Sequence, residues 1–149
     1  MNLDSYPVIS SEDLLTHTFI SEGPKGQILK RIEFQCCDQN QFNLAFGNWK
    51  NANQTLDDLA RSNNNDRDKI LATVAKAIML FLDAFPDTRI EVRGSTSSRT
   101  RLYQIKVVQH LLRIRENYVV QGLKDNEWKN FDSNENYSAL SLITRTEVK

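Results

Sequence analysis

Hydrophobic and polar residues alternate through the first third of the chain. Thr16 to Ser21 has the composition of a first strand. Glu22-Gly23-Pro24-Lys25-Gly26 then forces a turn, because two glycines and a proline leave the backbone little else. From Ile28 to Cys36 the period is two. Ile28, Ile32, Phe34 and Cys36 face one way, and Leu29, Arg31, Glu33 and Gln35 the other, with Lys30 alone breaking the apolar side. Phe42, Leu44 and Phe46 repeat the alternation up to Gly47. Residues 48–54 are rich in Asn and Gln and read as loop. The stretch 55–62 is ambiguous, with a short strand as one reading.

The period then lengthens. Ile70, Leu71, Val74, Ala75, Ile78, Leu82 and Phe85 recur at helical spacing and form one stripe. Asn65 or Asp66 is the expected cap, Asp66 and Asp68 place acids in the first turn, and Pro86 ends the helix. A short strand follows over 88–93, with Ile90 and Val92 on one side. Gly94-Ser95-Thr96-Ser97-Ser98 leads into a second helix over about 99–115, buried through Leu102, Ile105, Val108, Leu111 and Leu112. Tyr118 to Leu123 is a strand, Trp128 and Phe131 belong to a short hairpin arm, and Ala139 to Thr144 is a last strand.

The fold class expected from this order is α+β: an antiparallel strand meander followed by α-β-α-β, a mixed sheet with two helices on one face. Residues 1–15 read as a variable leader and 16–149 as a single domain, with no linker and no repeat. The 149 residues suffice for a core without disulfide or metal. The only cysteines, Cys36 and Cys37, are adjacent. Successive strand residues point to opposite faces, so a bridge between them is strained, and two reduced thiols are expected, one of them in the core. With no secretory pattern and no apolar run long enough to span a bilayer, the expected location is cytoplasmic and no membrane partner is expected.

Net charge is zero, yet 89–115 holds seven basic residues against one acid, Glu91. That +6 leaves −6 for the rest of the chain. Helix starts ordinarily collect acids, but the second helix opens with Arg99 and Arg101 behind a run of small hydroxyl residues. A cation there costs about 0.3–1 kcal/mol. An anion would compensate, held by free N–H groups, hydroxyls and guanidinium groups at the carboxyl end of a strand. The same residues also serve as ordinary caps, with the arginines reaching to solvent or to acids elsewhere in the fold. Neither a phosphate-loop nor a dinucleotide-binding glycine pattern is present.

Ser21-Glu22-Gly23-Pro24-Lys25-Gly26, Asn43-Leu44-Ala45-Phe46-Gly47, Ser62-Asn63-Asn64 with Leu71-Ala72-Thr73-Val74-Ala75, and Gly94-Ser95-Thr96 with Arg99-Thr100-Arg101-Leu102-Tyr103 occur in this order. Together they resemble a small bacterial family of uncharacterised proteins of about this length, from about residue 16 to 144. The resemblance implies no activity. It does imply that the Gly-Pro-Lys-Gly turn and the Gly-Ser-Thr turn are marked positions of that family.

Candidate ligand-binding residues are therefore Lys25, Arg93, Ser95, Thr96, Arg99, Arg101 and Tyr103. The favoured reading is a non-enzymatic binding module for an anionic, phosphate-bearing ligand, whether a nucleotide, a nucleic-acid segment or an acidic protein segment. An enzyme acting on a small phosphorylated substrate is the alternative, weakened by the lack of a placed general base. A homo-oligomeric interaction subunit using Trp49 and Trp128 is the third. His17 and His110 lack ligand spacing, Asp57-Asp58 reads as surface, and no metal, cofactor or catalytic residue is expected. The strand and helix order also resembles the start of ribonuclease H-like domains, but the paired carboxylates that such chemistry needs are missing.

Overall fold

A computed structural model describes residues 5–57, 65–93, 106–111, 118–132, 134–135 and 137–144. Among them are nine strands: β1 (Ile9–Ser10), β2 (Thr16–Gly23), β3 (Gly26–Asp38), β4 (Gln41–Lys50), β5 (Thr55–Asp57), β6 (Arg89–Val92), β7 (Tyr118–Lys124), β8 (Glu127–Asn130) and β9 (Ala139–Thr144). Helix α1 spans Arg67–Ala84, and residues 106–111 form a second helical stretch, α2. The fold is α+β around a mixed sheet ordered β1-β2-β3-β4-β6-β9-β7-β8, with β5 attached to β4.

The front half is the expected meander. β2 and β3 close on Gly23 and Gly26 around Pro24 and Lys25, and Gly26 takes the left-handed φ of 86° that the turn needs. β3 and β4 pair from Lys30↔Asn48 to Asp38↔Gln41. α1 then carries the chain back so that β6 lies parallel to β4. β9, last in sequence, inserts antiparallel between β6 and β7. The rear βαβ expected over 88–123 therefore does not place its two strands side by side.

The core lies between α1 and one face of the sheet. Phe81 stacks on Phe34 at 4.4 Å between centroids and meets Phe42 edge-on at 5.0 Å. Ile32, Ile90, Leu140 and Leu142 line the same layer. The helix is buried on much of its circumference, with six consecutive buried residues from Ile70 to Val74 and Ala75. The sheet covers one side, and Val107, Val108 and Leu111 of α2 and the Tyr6 region complete the same core cluster. Phe85, counted in the stripe from sequence, is 40% exposed because the helix ends at Ala84 and the chain turns away at Pro86.

Lys30 is only 3% exposed on the apolar face, as the alternation requires. Its Nζ donates to Oδ1 of its own cross-strand partner Asn48 at 2.6 Å, which offsets the cost of burying the charge. That pairing keeps Asn48 in β4, and Arg31 lies 3.7 Å from the ring centre of Trp49. The loop expected over 48–54 is thus strand as far as Lys50, and the turn is confined to residues 51–54.

Three further expectations need correction. The cap position Asp66 makes no side-chain bond to its helix. Residues 5–15, which carry no periodic signal, are tied to the fold: Tyr6 is buried, Val8, Leu14 and Leu15 pack against the core, and β1 pairs with β2. Neither cysteine is in the core; both are exposed.

Candidate functional site

Period-two alternation that buries Phe34, Leu44, Val92 and Leu140 against α1 turns their neighbours to the opposite face. One register line crosses six strands there: Gln35, Asn43, Glu91, Ser141, Gln121 and Asn130 are successive cross-strand partners. Every member is polar, and Glu91 lies in its middle. Gln41 Nε2 donates to Glu91 Oε1 at 2.7 Å, and Arg93 Nη2 reaches Oε2 at 3.4 Å. Arg89 Nη1 donates to Ser141 Oγ at 2.9 Å. The carboxylate is thus oriented by Gln41 on β4 and by Arg93 just beyond β6, and the linear sequence does not disclose the polar line because its members meet through five strand pairings.

Arg93 is the residue immediately beyond β6, at the carboxyl end of the strand that runs parallel to β4. Its side chain is 48% exposed, and its contact with Glu91 is long and half-solvated. Such a pair is worth less than about 1 kcal/mol and leaves the guanidinium able to exchange partners. Ser95, Thr96, Arg99, Arg101 and Tyr103, the other expected members of this site, lie outside the described residues.

Lys25 sits elsewhere. Val92 is level with Leu44 and Phe34, and Phe34 is eight residues along β3 from the Gly26 end of the turn. At ~3.3 Å per residue that is about 26 Å. Lys25 and Arg93 are therefore not neighbours. Further along the basic segment, Lys106 Nζ lies 4.0 Å from Asp68 in the first turn of α1. Both side chains are well exposed, so this contact positions more than it stabilises.

Two polar clusters on the other side of the molecule have structural work. Asp66 Oδ2 accepts from Tyr6 Oη at 2.6 Å and from the buried Ser21 hydroxyl. Tyr6 Oη also accepts from the Glu22 N–H at 3.0 Å, and the Tyr6 N–H donates to Thr73 Oγ1 at 2.9 Å. Burial, and then the Asp66 carboxylate, hold the Tyr6 phenol protonated, with its pKa raised. His17 is fully buried, with Nε2 2.8 Å from the Leu14 carbonyl oxygen and Nδ1 2.8 Å from Ser10 Oγ. A carbonyl can only accept, so Nε2 carries the proton and Nδ1 accepts from Ser10. Burial pushes the His17 pKa down. These groups fasten the N-terminal segment to β2 and α1, which explains why Asp66 leaves the helix end uncapped. Among the described residues, no three His, Cys, Asp or Glu side chains gather to hold a metal.

A family model matches residues 2–145, nearly the whole chain and most of the N-terminal segment that Tyr6 anchors. The chain belongs to DUF6934, a family of unknown function. No curated protein and no solved structure matches it. Membership in DUF6934 agrees with the likeness to an uncharacterised family and adds no activity. No described helix is long and apolar enough to cross a membrane.

Proposed function

We propose that this protein is a non-enzymatic binding module for an anionic, phosphate-bearing ligand, taken where β6 passes into the stretch 94–101. The observation that carries the reading is Arg93: a half-exposed guanidinium whose ion pair among the described residues is long, at the carboxyl end of a strand parallel to β4. The residues that follow it, Ser95, Thr96, Arg99 and Arg101, supply hydroxyl and guanidinium donors, and Tyr103 supplies a ring for stacking or a further donor. The +6 balance over 89–115 adds a local field that draws anions.

The ~26 Å between Lys25 and Arg93 favours a polymer over a small phosphate, if one ligand touches both. A single-stranded nucleic-acid segment meets that span, and its phosphates would run from the β6 end towards the β2–β3 turn.

The test is a fluorescence-anisotropy titration with a labelled dT oligonucleotide, with inorganic phosphate as competitor and salt varied. Binding that weakens with salt is expected. Arg93→Ala and the double change of Arg99 and Arg101 to Ala should each weaken it about tenfold or more, from ~1.5 kcal/mol for a charge-assisted hydrogen bond. Lys25→Ala should weaken the oligonucleotide but leave phosphate competition unchanged. Equal titrations by the wild type and the double variant overturn the assignment.

A further inference from the structure

We propose that Cys36 and Cys37 form an exposed dithiol site that chelates a soft, thiophilic metal or metalloid centre. The site is built by an irregularity at the far end of the β3–β4 hairpin from the Lys30–Asn48 rung. Cys36 pairs with Phe42 and Asp38 with Gln41, so Cys37 is an extra residue with no cross-strand partner. In a regular strand, neighbouring side chains leave on opposite faces. A two-against-one bulge bends the strand and breaks that alternation.

The sulfur contacts carry the consequence. Cys36 Sγ lies 3.4 Å from the Asp38 carbonyl oxygen, and Cys37 Sγ lies 3.4 Å from the Gln41 carbonyl oxygen. Asp38 and Gln41 are partners in one rung, the last before the turn. Both thiols are therefore brought to the same rung, and both are exposed. The turn that closes this rung is tied to β6, where the Arg89 N–H donates to the Asn40 carbonyl at 2.8 Å.

The chemistry that suits this pair is chelation. A disulfide between adjacent residues closes a ring with sulfurs about 2.05 Å apart, a distance that a trans peptide resists. A bridging soft centre makes longer bonds, about 2.3 Å to each sulfur for zinc as a guide. The sulfurs then stay well apart, and the peptide between them keeps its planarity. Two sulfurs with no third ligand among the described residues suit a centre that needs only two, above all an organic arsenic(III), whose third bond is to carbon. With an organic arsenoxide the step balances. Two S–As bonds form, the As=O oxygen leaves as water, and the two thiol protons go with it. No oxidation state changes.

The probe is phenylarsine oxide, added to the reduced full-length chain and read by native mass spectrometry. One adduct per chain is expected, with both thiols lost to a colorimetric thiol reagent. The adduct should survive millimolar 2-mercaptoethanol and be stripped by an equimolar small dithiol, as a chelate should. Cys36→Ser and Cys37→Ser each leave one thiol on an exposed rung, and circular dichroism checks that they fold. Each should lose resistance to the monothiol by at least about a hundredfold, because the second sulfur's effective concentration is gone. A wild-type adduct removed by 2-mercaptoethanol as readily as either single variant's overturns the proposal. So does a single variant whose adduct resists it as the wild type does.

Discussion

Gly122 offers a sharp test of how the rear of the sheet is packed. It lies in β7, paired with Leu140 on one side and Lys129 on the other. A Cβ built there would fall within 3.0 Å of Cγ, Cδ1 and Cε1 of Tyr137. The ring cannot swing aside freely. Its hydroxyl accepts from the Asp132 N–H at 2.8 Å, and its ring centre lies 5.7 Å from that of Phe131. Gly122→Ala must therefore push the sheet or the ring off its seat, a clash of the overpacking kind worth about 1–3 kcal/mol. For a domain of this size, a loss of 2 kcal/mol lowers the midpoint by roughly 4–8 °C. Thermal unfolding of four chains, in a cycle with Tyr137→Ala, isolates the cause. Without the ring, the three atoms nearest to the added methyl group are gone, and replacing glycine inside a strand should stabilise by roughly 0.5–1 kcal/mol. The sign of the Gly122→Ala effect should thus reverse. If Gly122→Ala costs the same in both backgrounds, the contact with Tyr137 is not what keeps the position glycine.

The other expectations concern the fastened N-terminal segment and the core. Because His17 is held neutral, with its pKa below the ordinary 6.5, the unfolded chain takes up a proton first as pH falls. Stability should be insensitive to this group above about pH 6.5 and decline below it, by at most about 1.4 kcal/mol per pH unit. His17→Gln should flatten that slope in urea titrations at pH 5 and 7. Asp66→Ala removes the acceptor shared by the Tyr6 phenol and the buried Ser21 hydroxyl. A loss of about 1–3 kcal/mol is expected, with faster proteolysis of the N-terminal segment, while Asp66→Asn should recover part of it. Phe81→Ala opens a cavity between Phe34 and Phe42 and should cost about 3–5 kcal/mol, the largest single loss among these changes.

Much of the fold was legible because period-two and helical alternation report directly on which face is buried. β3, β6 and α1 follow that rule, β4 follows it in outline up to Gly47, and the Gly-Pro-Lys-Gly turn follows from backbone sterics. Positions without a repeating pattern were less legible. Tyr6 is one aromatic in a polar stretch, and its burial depends on Thr73, Asp66 and Glu22, all distant in sequence. Asp66 looked like a cap because its local neighbours favour one, yet a buried hydroxyl and a phenol compete for the same oxygen. The cysteine pair was placed by alternation, and a bulge is the irregularity that alternation cannot foresee. Of the candidate site, Arg93 and Lys25 could be placed but not the distance between them.

The sequence by itself determined the class of this domain, its turns and its central helix, because each is set by residues within one or two turns of chain. Strand order was decided only by tertiary structure: β9 sits between β6 and β7, and Glu91 sits at the centre of a polar line drawn from six strands. Cross-strand neighbours meet through hydrogen bonds between backbones that carry no residue identity, so their pairing follows from how the whole apolar surface closes over α1.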